Sequence, residues 1–319
     1  MSNLIIGVIK NYAFRDVKPF VSTLKNVGYK GDTVFFCNNV SAGAKRELQK
    51  NGVTCIDFTE DYPYVEDRLK KEMGIVPREF VRKLHLFSMR YILYYLYLLN
   101  CGKTYENIMV ADIRDVVFQK DPFDFPIDGK LCCSIESEEW PISRSDFNGR
   151  EIEVAFGKEA YEKIKDKLIS NCGVTIGPSH LIKAYIEKMI ELILAGDGSI
   201  LMDQGTHNYI VWNDLVPNIR MYKNNEGPVL TLGYEKTVRR NKDKKIIDSN
   251  GTIINIVHQY DRHFGVAKDY YDWRLKVKYG WVLFRNRYIK GLNDHLSAKV
   301  KKSSPGLHAF AKKLKTFIR

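Results

Sequence analysis

The chain has 319 residues, 45% of them hydrophobic and 28% charged, with a formal net charge of +12. That is an ordinary globular composition, and the length suits one large α/β domain with an appendage. No run approaches eighteen uninterrupted apolar residues, which excludes a membrane-spanning helix.

The charge is unevenly placed. From Arg274 onward thirteen Lys or Arg stand against Asp294 alone, so this tail accounts for the whole +12 and residues 1–273 sum to zero. A neutral body argues against nucleic acid as its partner, and the cationic tail has a separate electrostatic task. The six cysteines (Cys37, Cys55, Cys101, Cys132, Cys133, Cys172) show neither CxxC nor zinc spacing and read as reduced thiols of a cytoplasmic protein.

The Met1-Ser-Asn start lacks a basic region, so Leu4 to Ile9 is expected to be a first strand and not a signal peptide. Apolar spacing at Val17, Phe20, Val21 and Leu24 predicts a helix over Asp16 to Asn26. Thr33 to Cys37 follows as a strand, Ser41 caps a polar helix through Lys50, and Val53 to Asp57 is the third strand. Strand and helix alternating at these lengths predict a parallel βαβ arrangement. No GxGxxG or GxxxxGK[ST] occurs, which weighs against a dinucleotide fingerprint or a P-loop. A long apolar helix is expected from Glu79 to Leu99. Arg82, Lys83 and Arg90 interrupt its face, and Arg82 or Arg90 is expected to reach an anionic ligand.

Ile108 to Ala111 reads as a short buried strand that ends abruptly in Asp112-Ile-Arg-Asp115, after which Val116 to Phe118 resumes the apolar run. Two acids at the end of a buried strand need compensation, and that is where open α/β sheets bind ligands. A hard divalent cation such as Mg²⁺ or Mn²⁺ supplies it. Pairing of Asp112 with Arg114, or a turn cap, is the alternative.

Lys130 to Ile135 is another strand. The stretch Glu136 to Arg150, with Trp140, is polar and irregular and placed to shape an acceptor pocket. A helix over Lys158 to Leu168, a strand over Ser170 to Gly177 and a helix over His180 to Leu194 follow. Asp203 and Gln204 fall in the first turn of the next helix, where an acid also serves as a simple cap. A basic hairpin over Val238 to Asn250 precedes a last strand, Gly251 to His258. A histidine there is either structural or a ligand.

The ordered set resembles a GT-A glycosyltransferase of the glycogenin-like, lipopolysaccharide galactosyltransferase-like retaining group. It comprises the βαβ half, the acidic strand end, Asn171-Cys-Gly-Val174, Asp203-Gln204 and His258, over about residues 1 to 265. Two departures stand out: two residues separate Asp112 from Asp115 where the family has Asp-x-Asp, and Gln259-Tyr-Asp-Arg-His263 replaces a Gly-x-x-Lys-Pro-Trp segment.

The resemblance implies a mostly parallel Rossmann-type sheet flanked by helices, with a smaller mixed β region. It implies Mn²⁺ or Mg²⁺ on Asp112, Asp115 and His258, and a nucleotide-sugar donor, a UDP-sugar, against Asn11, Tyr12, Arg82, Asp112, Asn171 and Gly173. Asp203 and Gln204 are then catalytic. Asp203 holds donor hydroxyls, and the Gln204 carbonyl lies beneath the anomeric carbon. The acceptor is a glycan or lipid-linked glycan. A non-catalytic nucleotide or anionic-glycan binding protein on the same fold is the alternative, and a sugar nucleotidyltransferase is weighed against by the first loop, Lys10 to Arg15, which lacks glycine.

The catalytic domain is expected over 1–268 and a basic aromatic extension over 269–319. In that extension Leu307 to Ile318 forms an amphipathic helix suited to an anionic membrane surface at the inner face, or one docked on the body.

Overall fold

The computed structural model describes residues 2–59, 70, 71, 74, 85–195, 203–235 and 237–270. Arg82, Lys83 and the tail from residue 271 lie outside them. The chain divides into two compact units, Met1–Tyr260 and Asp261–Arg319.

In the first unit the strands are β1 (Ser2–Lys10), β2 (Asp32–Asn38), β3 (Val53–Asp57), β4 (Tyr105–Ala111), β5 (Val116–Phe118), β6 (Leu131–Ile135), β7 (Ser170–Pro178), β8 (Ile219–Tyr222), β9 (Val229–Thr231) and β10 (Ile256–His258). The helices are α1 (Phe14–Asn26), α2 (Ala42–Lys50), α3 (Leu86–Asn100), α4 (Asp146–Phe156), α5 (Lys158–Ile164), α6 (Ser179–Ala195) and α7 (Asp203–Trp212). In the second unit the described residues include α8 (Phe264–Tyr270).

Seven strands form a sheet in the order β3-β2-β1-β4-β7-β6-β8, and β5-β10-β9 form a second, smaller one. The first sheet is parallel except for β7, which runs antiparallel to both its neighbours. In the small sheet β10 pairs antiparallel with β5 and parallel with β9. The architecture is therefore α/β with a mostly parallel central sheet and a separate mixed sheet, as expected.

The strands are apolar on both faces because helices cover both. On β1, Leu4 and Ile6 face the core shared with Tyr94 of α3 and Ile186 of α6. Ile5 and Ile9, offset by the two-residue period, face Phe20 of α1 and Leu48 of α2. The caps act as the sequence predicts: Ser41 accepts the Ala44 N–H at 3.2 Å.

Four elements differ from expectation. The long helix is described from Leu86, with His85 as its N-cap. Inside the stretch expected to be irregular, α4 forms: the Ser145 side chain accepts the Asn148 N–H, Asp146 lies in the first turn and Gly157 ends the helix at φ 87°. Its signal is weakened by Gly149, where a Cβ would lie 3.1 Å from the Tyr161 ring and crowd it. α5 ends at Ile164 where the sequence suggested Leu168. The last strand is only Ile256–His258, and the residues before it make single bridges such as Ile247 to Ile253.

Gly7 fixes how the acidic strand end sits. A Cβ on it would lie 2.2 Å from Ile113 Cδ1 and 2.7 Å from the Ala111 carbonyl oxygen. Gly7→Ala is therefore overpacked and should cost about 1–3 kcal/mol. Thermal unfolding should show the midpoint falling by about 2–4 °C per kcal/mol, and an unchanged midpoint would refute this packing.

Candidate active site

Three strand ends converge on one cluster. β4 hands over to Asp112, whose N–H donates to the Gly173 carbonyl at 2.7 Å and so prolongs the β4–β7 ladder by one bond. Ile113 is 2% exposed and turns into the core against Gly7, while the half-buried Arg114 turns outward. Asp115 then stands just before Val116, the residue that pairs with His258 across β5 and β10.

The buried Ile113 is what lets an Asp-x-x-Asp spacing bring both carboxylates to one side. His258 Nε2 lies 3.6 Å from Asp112 Oδ2 and 3.9 Å from Asp115 Oδ1. One ligand atom from each of the three residues can be chosen so that all lie within 4.8 Å of one another.

A helical arginine completes the charge pattern. Arg90 of α3 is 2% exposed and donates to Asp112 Oδ1 at 2.5 Å and to Asp203 Oδ2 at 3.2 Å. Asp112 is thus paired with Arg90, not Arg114, which lies 3.8 Å from Asp115. Of the two arginines expected to offer a ligand contact, Arg82 lies outside the described residues and Arg90 holds the two acids.

For Asp112, burial would raise the pKa, but Arg90 and then His258 outweigh it and hold the carboxyl well below its usual range. For Asp203 burial prevails over Arg90, the Asp112 charge adds to it, and the pKa rises. The His258 imidazole is lowered by burial, but Asp112 and Asp115 outweigh that and the net shift is upward.

The cluster meets three tests for a divalent cation. His258 Nε2 is buried and has no hydrogen-bond partner among the described residues. Its other ring nitrogen lies 3.5 Å from the Thr231 hydroxyl, the kind of outer contact that orients ligating histidines. Gly173 keeps the space open, since a Cβ would lie 2.6 Å from His258 Cε1 and 2.8 Å from Asp112 Oδ2. Two carboxylates and an imidazole suit Mn²⁺ or Mg²⁺.

Around the cluster β7 and α7 present the remaining candidates. Asn171 donates to Glu136 Oε1 at 2.6 Å and accepts the Gly173 N–H at 2.6 Å, so its amide is held in one orientation. Asp203 opens α7, as expected. Gln204 was expected to turn its carbonyl toward a donor sugar. Instead its Oε1 accepts the Cys172 N–H at 3.1 Å and its Nε2 donates to the Ser170 carbonyl at 2.6 Å. One helix turn on, Asn208 takes both backbone groups of Ser170, and His207 joins the Ser170 and Tyr185 hydroxyls, each at 2.8 Å. Burial, with a smaller contribution from Arg90, drives the His207 imidazole down to about 3, so it stays neutral as a strut.

Tyr12 is half-buried, and its hydroxyl is pushed up by burial first, with Asp115 and Asp112 adding to that and Arg114 opposing. Asn11 is exposed at φ 59° and accepts from Asn39 at 2.5 Å. Arg82 lies outside the described residues.

Sequence reasoning missed Glu136 as the partner of Asn171, and it missed Glu151. The latter, 2% exposed, accepts the Gly205 N–H at 2.7 Å beneath the start of α7. Neither has a local motif. A signal for His207 and Asn208 exists in their three- and four-residue offsets from Gln204, which put all three on one helix face.

No family model matches the chain, and no curated protein does. The chain is similar to the crystal structure of an active-site mutant of LgtC, at 11% identity and a TM-score of 0.46, covering 88% of this chain and 95% of that one. It is similar to the galactosyltransferase LgtC in complex with donor and acceptor sugar analogs at 14% identity and a TM-score of 0.45, covering 80% and 86%. A third likeness is to the apo-form glycosyltransferase GlyE of Streptococcus pneumoniae TIGR4, at 12% identity and a TM-score of 0.43, covering 81% of this chain and 54% of that one. These are distant likenesses in chain path, and no residue role is taken from them.

Glu151 makes stability depend on pH in a definite direction. Burial first, then the Asp203 charge, push its carboxyl from 4.5 up to about 8, against a partial pull from the Gly205 N–H. Between those two values the unfolded chain has lost this proton and the folded chain keeps it, so its stabilisation is complete at low pH and declines as pH rises. The decline is at most about 1.4 kcal/mol per pH unit and levels off above the folded value. Thermal melts from pH 5 to 9 should therefore show wild type losing stability relative to Glu151→Gln, and parallel curves would contradict the assignment.

Proposed function

We propose that the chain is a divalent-metal-dependent glycosyltransferase that moves a sugar from a nucleotide-diphosphate sugar, a UDP-sugar, to a glycan or lipid-linked glycan acceptor with retention. The observation that carries the reading is the Asp112, Asp115 and His258 cluster at converging strand ends, with a buried imidazole nitrogen that has no hydrogen-bond partner among the described residues.

In this reading Asp112, Asp115 and His258 hold the ion. When bound it places positive charge where a departing diphosphate develops negative charge. Arg90 fixes the Asp112 rotamer through Oδ1 and leaves Oδ2 on the His258 side. Asn171, held by Glu136, and Asp203, held by Arg90, would bond donor-sugar hydroxyls in this reading, and such orientation contributes by making the reaction effectively unimolecular.

The bond from the anomeric carbon to phosphate breaks, the bond to the acceptor oxygen forms, and the acceptor's proton leaves with the diphosphate. Gln204 keeps β7 and α7 in register beneath this centre through its two backbone bonds. In this reading the donor lies against Asn11, Tyr12 and the Gly173 backbone.

No helix among the described residues is long and apolar enough to cross a membrane. Contact with an anionic bilayer rests on the tail's charge, which the rest of the chain does not share.

Calorimetric titration with UDP should show binding that requires Mn²⁺, and a panel of UDP-, GDP-, CMP- and TDP-sugars should show hydrolysis or transfer from a UDP-sugar. Asp112→Asn and His258→Asn should each weaken Mn²⁺-dependent UDP binding at least tenfold and abolish turnover. Turnover retained in both variants would reject the reading, and UDP binding without any donor cleavage would establish the non-catalytic alternative.

A further inference from the structure

β10 has a second end. Ahead of Ile256, the residues Ile254 and Asn255 border a cavity of about 310 Å³, with Phe125, Tyr222, Gly227 and Asp248 also in its wall. At about 3.3 Å per strand residue, Asn255 stands some 10 Å from His258 along the chain, so the cavity is separate from the acidic cluster. Its volume is at the lower end of small-molecule sites, about 300–1,000 Å³.

One side of this wall is aromatic and fixed. Phe125 meets Tyr222 edge-on, with ring centroids 6.1 Å apart at 83°. The Gly227 backbone lies so close to Tyr222 that a Cβ on it would be 2.6 Å from the Tyr222 Cβ. The other side carries a carboxylate with unused capacity. Asp248 is 8% exposed, and its Oδ1 accepts the Asn250 N–H at 2.9 Å and the Thr252 N–H at 2.7 Å. Its Oδ2 accepts no hydrogen bond from the described residues. Asp124, paired with Lys120 at 2.9 Å, and Glu226, paired with Lys223 at 3.1 Å, add further carboxylates.

This combination selects a ligand. With Asp124 and Glu226 each paired to a lysine, the Asp248 carboxylate is the charge that disfavours an anion. A purely apolar ligand would leave Asp248 Oδ2 desolvated and unpaired, which costs more than the contact returns. A ring with apolar C–H faces and outward hydroxyl donors satisfies both walls. We propose that this cavity is a glycan subsite that binds a neutral pyranose unit, with Asp248 Oδ2 accepting a sugar hydroxyl and the Phe125–Tyr222 pair packing against the ring. It stands on the cavity's own residues and goes beyond the transferase reading.

Saturation-transfer difference NMR tests it on the full chain, with methyl β-D-glucopyranoside, methyl β-D-galactopyranoside and N-acetylglucosamine as probes and methyl β-D-glucuronide as the anionic control. At least one neutral probe should show ring-proton transfer that persists with saturating UDP and Mn²⁺, while the glucuronide shows none. Asp248→Asn keeps the Oδ1 acceptor of the turn and replaces only the unused oxygen, so it should raise the dissociation constant at least tenfold. Phe125→Ala should do the same without touching the turn.

Absence of transfer from every neutral probe would overturn the proposal. So would displacement by UDP with Mn²⁺, or binding that survives both substitutions. Failure of UDP to bind would count against the transferase reading alone and leave the sugar result intact.

Discussion

The buried guanidinium of Arg90 is the constraint on which the site depends. It reaches Asp112 and Asp203 from the first turns of α3 and so ties three separate elements together: α3, the end of β4 and the start of α7. Two carboxylates held close in a buried pocket repel, and one of them would take up a proton to relieve it. With Arg90 between them Asp112 stays ionised far into acid, which is the state a metal ligand requires.

Arg90 joins Asp112 to Asp203, and Arg114 lies 3.8 Å from Asp115 at the edge. Removing one partner of such a network costs about 3–5 kcal/mol, because it strands a buried charge. The network is therefore a structural element as much as a chemical one.

Much of the sheet was legible because buried strands write long apolar runs. Leu4 to Ile9, Val53 to Asp57 and Ile108 to Ala111 fall where the strands are, and Ser41 marks a helix start by its own side-chain bond. The acidic strand end was legible too, since acids that interrupt such a run must be compensated. What escaped was everything decided by distant pairing. Arg90 reads as one of several cations on a helix face, and nothing local says that it is the buried one. Glu136 and Glu151 have no motif, and their partners Asn171 and Gly205 lie 35 and 54 residues away in sequence. α4 was hidden because Gly149 lowers helix propensity at a position where only close packing against Tyr161 explains it.

β7 shows how direction matters as much as position. It runs antiparallel between β4 and β6, so its first residues lie beside the carboxyl end of β4. Ser170, Asn171 and Gly173 thereby arrive next to Asp112 from the opposite direction. A fully parallel sheet would have carried them to the far end. The α7 face of Gln204, His207 and Asn208 then fixes β7 by bonds to Ser170 and Cys172, which is why this glutamine is held by backbone at both ends.

The two-residue spacer between Asp112 and Asp115 follows from the same geometry. In an extended strand, residues three apart point to opposite faces. Here the chain leaves one sheet at Ala111 and enters another at Val116, and the intervening turn is pinned by Ile113 in the groove that Gly7 leaves open. The turn breaks the strand period, and β5 then inherits its register from β10, which sets His258 opposite Val116. A single intervening residue would leave only one position to serve both the core and the bend. The extra residue divides these tasks, Ile113 filling the core and Arg114 facing solvent beside Asp115. The spacing that looks like a departure in sequence is thus the spacing this junction between two sheets requires.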